Sequence, residues 1–355
     1  MKKIVGTIAA IALAASSAFA GANLGMGFNR GFFTPFAWDG AAKAGISTSW
    51  GAQPRVGVSF SAASEDVGVV ADAKFDGGAV AVNDNAYIWV KPASWLKVQI
   101  GQSFDDTLRG NGCFGSWDWL RPGNILGEDL TFVRVCENPL AGAYAPLQGA
   151  IVMVDPIEGL HVTAGLRTGY GSDAWENLAK KIQVQAGYTI PDVLQIKAQW
   201  IGNGDNGVIN AAVALKAVEG MTLDVGAFIN TDSADTNPVS IAAFWGMGFD
   251  AVSVNVNAKV TLAKDDSAAT TVAAGAGIGV DLGNGLSCGA DVRYSQAFQK
   301  DVNNDPAIAF AAWLDKGIAN GTLGVAVQGA MKTGLTTFNA SDFTVAVPVR
   351  VQCFF

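Results

Sequence analysis

The chain has 355 residues, of which 50% are hydrophobic and 15% are charged, and its 31 acidic and 23 basic residues give a formal net charge of −8. This acidic balance argues against nucleic acid as a partner and against attachment to an anionic membrane surface through a basic face. After the N-terminal leader, no apolar run reaches the roughly 18 residues that a membrane-spanning helix needs. High apolarity without helical spans is typical of a membrane β-barrel, whose strands each carry a lipid-facing side, and a soluble β-sandwich or β-helix is the alternative.

Residues 1–20 have the pattern of a cleaved signal peptide. Lys2 and Lys3 form a basic start, an apolar run follows, and Ala18 and Ala20 mark a small-residue cleavage site before Gly21. No cysteine follows that site directly, so a lipid-anchored mature form is not expected. The sequence therefore predicts an exported chain with a single domain, residues 21–355, in an oxidising compartment.

Alternating apolar and polar residues predict β-strands along most of the mature chain. Seven of these strands follow a turn rich in Pro, Gly or Asp and start on an apolar residue, at intervals of roughly 30 residues from the second onward. This repeated hairpin pattern predicts an up-and-down antiparallel meander. Strands are predicted at residues 23–32, 44–50, 56–60, 67–75, 79–90 (as a short hairpin), 96–100, 160–166, 194–200, 221–229, 252–262, 286–294, 323–327 and 343–355.

The other connections are longer and more polar than these turns, for example residues 169–180, 230–238 and 333–342. Short turns on one side and long polar loops on the other are typical of the two faces of an outer-membrane β-barrel. With both chain ends on the short-turn side the strand number has to be even, and the pattern gives 16–20 strands. The predicted fold is all-β: a transmembrane antiparallel up-and-down β-barrel with short periplasmic turns, longer outer loops and a lumen wide enough to hold water.

Positions opposite the apolar register of each strand are predicted to line the lumen. Bases outnumber acids there by ten to three, against the acidic average of the chain. A basic lumen favours the passage of anions, and the alternative is that these charges are merely solvated and confer no selectivity. The predicted inward bases are Lys74, Lys97, Arg167, Lys181, Lys197, Lys216, Lys259, Arg293, Lys332 and Arg350, and the inward acids are Asp72, Asp224 and Asp291.

Catalytic chemistry is not expected. His161 is the only histidine, and no Ser or Asp is predicted to complete a triad with it, so a solvated lumen side chain is the favoured interpretation. One histidine does not make an ordinary zinc site, and we expect neither a metal nor another cofactor. The glycine-rich residues 275–279 lie within a strand pattern, which favours close packing or bending of the wall over phosphate binding. Cys288 and Cys353 fall on the lipid-facing register as small hydrophobic residues.

The C-terminal stretch, residues 343–355, alternates almost strictly between apolar and polar residues and ends on Phe354 and Phe355. It resembles the C-terminal signature of bacterial outer-membrane β-barrels, and the leader and weakly basic lumen are similar to the porin-like surface barrels of diderm bacteria, including spirochaetes. The resemblance implies an outer-membrane location in contact with lipid, and recognition of the last strand and Phe355 by the barrel-assembly machinery. General porins are usually trimers, so a homotrimer is implied, although the sequence carries no interface signal.

The longest interruption of the strand pattern, residues 103–148, resembles the general-porin loop that folds inward and narrows the channel, in its length and its mixed charge. An outer cap or an extra hairpin near residues 130–136 is the equal alternative. Cys113 and Cys136 are candidates for a disulfide bond that holds this loop compact. The constriction candidates are Asp105, Asp106, Arg109, Asp118, Arg121, Glu128, Asp129 and Arg134.

Two functions remain open. The leading hypothesis is a passive porin for the diffusion of small hydrophilic solutes and ions, with a mild anion preference. The alternative is a surface antigen or adhesin, whose closed barrel is only an anchor and whose loops bind host or matrix molecules. Most of the loops are short for that second role, which favours the channel.

Overall fold

The computed structural model describes residues 23–26, 29–38, 45–48, 56–76, 79–103, 147–167, 175–202, 204, 206–302, 304–332 and 343–353. They form a sheet of twenty strand segments and a 3₁₀ turn at Leu178–Lys180. Across these ranges, no helix is long and apolar enough to cross a membrane. The segments are β1 (Asn23–Met26), β2 (Asn29–Trp38), β3 (Gly45–Thr48), β4 (Val56–Ala63), β5 (Val67–Asp76), β6 (Ala79–Ala93), β7 (Leu96–Ser103), β8 (Leu147–Ile157), β9 (Leu160–Arg167), β10 (Ile182–Ile190), β11 (Leu194–Gly202), β12 (Gly207–Leu215), β13 (Met221–Asn230), β14 (Val239–Phe249), β15 (Val252–Leu262), β16 (Thr270–Gly283), β17 (Leu286–Phe298), β18 (Ala307–Ile318), β19 (Gly321–Lys332) and β20 (Phe343–Cys353).

The sheet closes on itself. From β4 to β20 every segment pairs antiparallel with the next one in the chain. At the seam β20 pairs with β2, β2 with β3, and β1 with β4. These pairings make β1 run in the same direction as β2, and β3 in the same direction as β4.

Each of these same-direction pairs is one interrupted strand rather than two neighbours. Parallel neighbours need a crossover of a dozen or more residues, whereas two residues separate β1 from β2 and seven separate β3 from β4. The twenty segments therefore make an antiparallel barrel of eighteen strands. This number is even and lies within the predicted range, so the predicted fold class is confirmed.

Turn chemistry differs between the two ends of the barrel. At one end the connections within hairpins such as β10–β11 and β18–β19 have two to five residues, and Asp192, Asp250, Asn284 and Asn320 adopt left-handed backbone conformations there, with φ of 53–58°. Asn and Asp tolerate this conformation better than other non-glycine residues, which makes tight turns accessible. Cys353, the last residue of β20, pairs with Asn29, the first residue of β2, at the same end of the barrel. Both ends of the barrel sequence thus lie on the short-turn side, as predicted.

The distribution of exposed side chains is the reverse of that in a soluble protein. On β19, the apolar Leu323, Val325 and Val327 are 39–50% exposed, whereas Gln328, the residue after Val327, is 0% exposed. The same alternation of exposed apolar and enclosed polar residues recurs around the wall. A soluble β-sandwich buries its apolar face, so this arrangement excludes that alternative and identifies the outer surface as the lipid-facing one.

Residues 79–90 do not form the predicted short hairpin. They belong to one long strand, β6, and the Asn-Asp-Asn stretch at residues 83–85 lies where the register with β5 shifts. Within this irregularity the side-chain amide of Asn85 donates to Asp72 Oδ2 over 3.1 Å. The turn-forming residues therefore mark a bulge and a cross-strand hydrogen bond rather than a reversal of the chain.

Candidate functional site: the inner wall

The inner face of the barrel is the candidate site because it carries the polar side chains opposite the lipid-facing register. Arg167 and Lys332 occupy inward register positions on β9 and β19. Lys181 lies one residue before β10 and Lys216 one residue after β12, so both stand at strand ends. The other predicted lumen residues lie on inward strand positions, and these are Lys74, Lys97, Lys197, Lys259, Arg293, Arg350, Asp72, Asp224 and Asp291.

Arg350 on β20 reaches across β19 to Asp315 on β18. The register aligns Asp315, Gly324 and Arg350 in one row, and the glycine leaves no side chain between the other two. Arg350 Nη2 donates to Asp315 Oδ2, with the arginine side chain 6% and the aspartate side chain 21% exposed. A buried guanidinium paired in this way adds little net charge to the lumen.

Arg293 and Asp291 form a second enclosed pair, on β17. Arg293 Nη2 lies 3.9 Å from Asp291 Oδ1, and Trp313 Nε1 on β18 donates to Asp291 Oδ2 over 3.1 Å. Gly275 and Gly277 on β16 face these two charged residues, and a Cβ at either glycine would collide with the charged side chain beside it. The glycines therefore let both side chains lie flat against the wall, as the close-packing interpretation of residues 275–279 expected.

Lys97 on β7 has an aromatic environment. Its ammonium lies 5.5 Å from the ring centroid of Tyr87 and 5.4 Å from that of Trp89, and Lys91 approaches the same Trp89 ring at 5.4 Å. Trp89 in turn occupies the space above Gly68 on β5. Aromatic faces attract an ammonium group without cancelling its charge, so this part of the wall stays positive.

His161 is held at both ring nitrogens. Its Nδ1 lies 2.6 Å from Asp155 Oδ1, and its Nε2 lies 3.0 Å from Thr163 Oγ1. Gly187 is its neighbour on β10, and the aliphatic part of Lys197 lies over that glycine. The β8–β9 hairpin thus supplies an acid next to the histidine that the sequence pattern did not suggest. Thr163 is buried, so its hydroxyl is not presented to a solute.

Several uncharged polar side chains of the inner wall are enclosed. Gln99, Gln185 and Asn210 are 0–1% exposed. Gln99 and Gln185 have no hydrogen-bond partner for either amide atom, and Asn210 has none for Oδ1, among the described residues. An unpaired buried amide is unfavourable, so these groups need a hydrogen-bonding partner from elsewhere.

The sequence pattern missed three residues of this wall, Asp155, Asp315 and Trp313. Asp315 belongs to the alanine-rich β18, where polar and apolar residues alternate weakly, so the two-residue period gives no signal for it. Trp313 lies within the apolar stretch of β18 and faces inward, where its indole N–H donates to Asp291. Cys288 and Cys353 lie on the outer register of β17 and β20, where both are free thiols.

Other predictions fall on positions outside the described residues. They are the signal peptide at residues 1–20, the loop at residues 103–148 apart from its strand ends, and Phe355. The constriction candidates Asp105, Asp106, Arg109, Asp118, Arg121, Glu128, Asp129 and Arg134, and the disulfide candidates Cys113 and Cys136, are within that loop.

No family model matches the chain, and no relative is found among curated proteins. Solved structures do match it over almost its whole length. OpdL of Pseudomonas aeruginosa is 12% identical with a TM-score of 0.57, over 94% of this chain and 98% of that one. OpdQ of Pseudomonas aeruginosa is 13% identical with a TM-score of 0.56, over 94% and 97% of the two chains.

A trimer form of OmpT, an outer-membrane protein of Vibrio cholerae, is 12% identical with a TM-score of 0.52 and covers 94% of this chain and 100% of that one. At such low identities the likeness concerns the fold. Together with the apolar outer face, it shows that the chain has the fold of a bacterial outer-membrane β-barrel and is located in that membrane.

Proposed function

We propose that the protein is a passive porin for small hydrophilic solutes. The observation that carries this proposal is a closed barrel of eighteen strands whose outer face is apolar and whose inner face is polar. A barrel of this strand number is too wide for its own wall side chains to fill, so it encloses a passage for water and solutes. We propose transport rather than catalysis as its activity, and the burial of the Thr163 hydroxyl beside His161 supports this proposal.

A mild anion preference is the second part of the proposal. Arg293 and Arg350 each contact an inward carboxylate, so their charges are largely balanced. The preference then rests on lysines of the inner face, among them Lys74, Lys97 and Lys259. Positive groups along a passage raise the local concentration of anions and lower that of cations.

Planar-bilayer recording of the refolded mature chain tests both parts. We expect discrete conductance steps, and a reversal potential under a salt gradient that is displaced towards the anion side. Absence of any step from protein that migrates as folded barrel would refute the porin. Steps with a cation-side reversal potential would keep the porin and refute the anion preference.

The enclosed inner wall favours one alternative, a surface protein whose barrel is a closed anchor. Inward side chains such as Gln99 and Gln328 are 0% exposed, which is unexpected for the wall of a wide, water-filled bore. In that case the folded protein conducts no ions, and its outer loops bind a macromolecule. Binding of the intact, detergent-solubilised protein to immobilised matrix proteins, combined with absent conductance, would establish this alternative.

We further propose two assembly properties. The outer face of the last strand, next to the seam with β2, remains available for recognition by the barrel-assembly machinery. A homotrimer is proposed because a protein of the same fold has been described in a trimer form. Chemical cross-linking in native outer membranes tests the trimer, and a gel that shows only monomer after cross-linking would refute it.

A further inference from the structure

Hydrogen bonds join the long connections at the outer end of the barrel to one another. These connections follow β9, β11, β13, β15 and β17, and each is adjacent to the next because β9 to β18 pair in chain order. Every neighbouring pair in this series shares at least one hydrogen bond. The outer rim consists of residues 178–181, 204, 206–207, 231–238, 263–269 and 299–302.

The first link joins the 3₁₀ turn before β10 to the connection after β11. The Gly204 amide donates to the carbonyl of Lys180 over 2.8 Å, and the indole N–H of Trp200 donates to the carbonyl of Ala179 over 2.6 Å. A Cβ at Gly202 would lie 2.4 Å from the Lys180 carbonyl. The turn therefore lies directly against the end of β11, and a glycine permits this close approach.

Thr231 makes the second link, from the start of the β13–β14 connection to the first residue of β12. Its hydroxyl donates to the carbonyl of Gly207 over 2.9 Å and accepts from the Gly207 amide over 2.9 Å. The Thr231 amide also donates to the same carbonyl over 2.9 Å. One threonine side chain thus bonds two backbone groups of the neighbouring connection, because a hydroxyl both donates and accepts.

The third link joins the β13–β14 and β15–β16 connections at three points. The amide of Lys264 donates to the carbonyl of Thr236 over 2.8 Å, and Lys264 Nζ donates to the carbonyl of Ser233 over 2.5 Å. The side-chain amide of Asn237 donates to the carbonyl of Ala269 over 2.8 Å. Both ends of the β15–β16 connection are therefore bonded to the same neighbour.

The fourth link joins the β15–β16 and β17–β18 connections. The side-chain amide of Gln299 donates to the carbonyl of Ser267 over 2.9 Å, and Lys300 Nζ donates to Asp266 Oδ2 over 2.8 Å. The amide and hydroxyl of Ser267 also donate to Asp265 Oδ1, over 2.9 Å and 2.5 Å. The last link thus ends on a tight turn that has its own hydrogen bonds.

The side chains of the outer rim are accessible, although its backbone is bonded from one connection to the next. Lys180, Lys264 and Lys300 are exposed and lie in three different connections. Exposed loops open locally at a low cost in free energy, and a protease cleaves them in the opened state. In the outer rim, opening one connection also breaks the bonds that it shares with its neighbours.

We infer that the outer rim is one conformational unit, a fixed collar that holds the outer mouth of the barrel in one shape and protects its exposed lysines from proteolysis. The links are continuous from the 3₁₀ turn to the β17–β18 connection, so the loss of one link loosens connections on both sides of it. The inference goes beyond the proposed porin function and does not depend on whether the barrel conducts.

Limited trypsin digestion of the folded mature chain in detergent tests the collar, with the cleaved sites identified by mass spectrometry. Thr231→Val removes the hydroxyl that bonds Gly207 and keeps the shape of the side chain. Cleavage after both Lys180 and Lys264, on opposite sides of the lost link, should become about tenfold faster. Cleavage after Lys316, at the short-turn end, should not change and serves as the internal reference.

Thr236→Val is the matched control. It removes the same group from the same connection, but the Thr236 hydroxyl donates to Asn237 Oδ1 within that connection over 3.2 Å. Its digestion should match that of the unaltered chain, and both variants are first shown to migrate as folded barrels. Faster cleavage after Lys264 alone, unchanged cleavage in Thr231→Val, or an equal change in the two variants would overturn the collar.

Amide hydrogen exchange of the unaltered chain gives a second test that needs no variant. The amides of Gly204, Thr231 and Lys264 donate across three different links. In a single unit they open together, so their protection factors should agree within severalfold. Protection factors that differ by more than a hundredfold among these three amides would show that the connections open independently, and would overturn the collar.

Discussion

The two sides of the inner wall hold their charges in different ways. On the arginine side (β16–β20), Arg293 and Arg350 each contact an inward carboxylate and are enclosed. On the lysine side (β5–β11), Lys97 lies against aromatic rings, which fix an ammonium group while its charge persists. A count of inward bases therefore does not give the ion selectivity of a barrel. The neighbours of each base decide how much of its charge reaches the lumen.

The largest expected effect comes from breaking a pair on the arginine side. Asp315→Ala leaves the buried guanidinium of Arg350 without its carboxylate, which should lower the free energy of unfolding by about 3–5 kcal/mol. Urea-induced unfolding in lipid vesicles measures this change. The double variant Asp315→Ala with Arg350→Met should recover most of the loss, because no unpaired charge remains in the wall.

The matched control for this prediction is Asp266→Asn. It breaks the exposed Lys300–Asp266 pair, whose side chains are 63% and 75% exposed, and should cost less than about 1 kcal/mol. Equal losses for the buried and the exposed pair would contradict the account of the arginine side.

A glycine on the arginine side provides the next test. Gly275→Ala places a Cβ where the Arg293 guanidinium now lies, and overpacking of this kind costs about 1–3 kcal/mol. The displaced guanidinium should also turn into the lumen and increase the anion preference. Gly248→Ala is the control, because its added Cβ meets nothing closer than 3.8 Å. Unchanged stability in Gly275→Ala would mean that the glycine is not needed for the position of Arg293.

Selectivity measurements compare the two sides directly. Lys74→Gln with Lys97→Gln removes two positive charges from the lysine side and should reduce the anion-to-cation permeability ratio severalfold. Arg350→Gln with Asp315→Asn removes one charge of each sign from the arginine side and should leave the ratio nearly unchanged. Reversal potentials under one salt gradient measure both. An equal shift in the two double variants would show that the arginine side is not neutralised.

Much of the wall was predictable from the sequence because a barrel strand is exposed to lipid on one face only. The alternation in residues 252–262 and 286–294 reports this directly, and both segments are strands with the expected face outward. The hairpin prediction for residues 79–90 was wrong because Asn, Asp and Asn in a row are also a turn signal. In the barrel these three residues lie within β6, where its register with β5 shifts, and Asn85 donates a hydrogen bond to Asp72.

The charge pairs were less predictable because they depend on registers between strands. Arg350 meets Asp315 only because the intervening β19 places Gly324 between them, and no local pattern reports that coincidence. The row of small residues Ala212, Gly226 and Ala242 has the same origin, since its members come together from three strands. Individually they are unremarkable small residues at inward positions.

Single-channel conductance of the refolded mature chain, with its reversal potential under a salt gradient, tests the central claim most directly. We predict discrete steps with an anion-side reversal potential, because the lysine side of the wall keeps its charge while the arginine side is balanced. Folded protein that gives no steps would contradict the open barrel. Such a result would leave the closed surface anchor as the function of this fold.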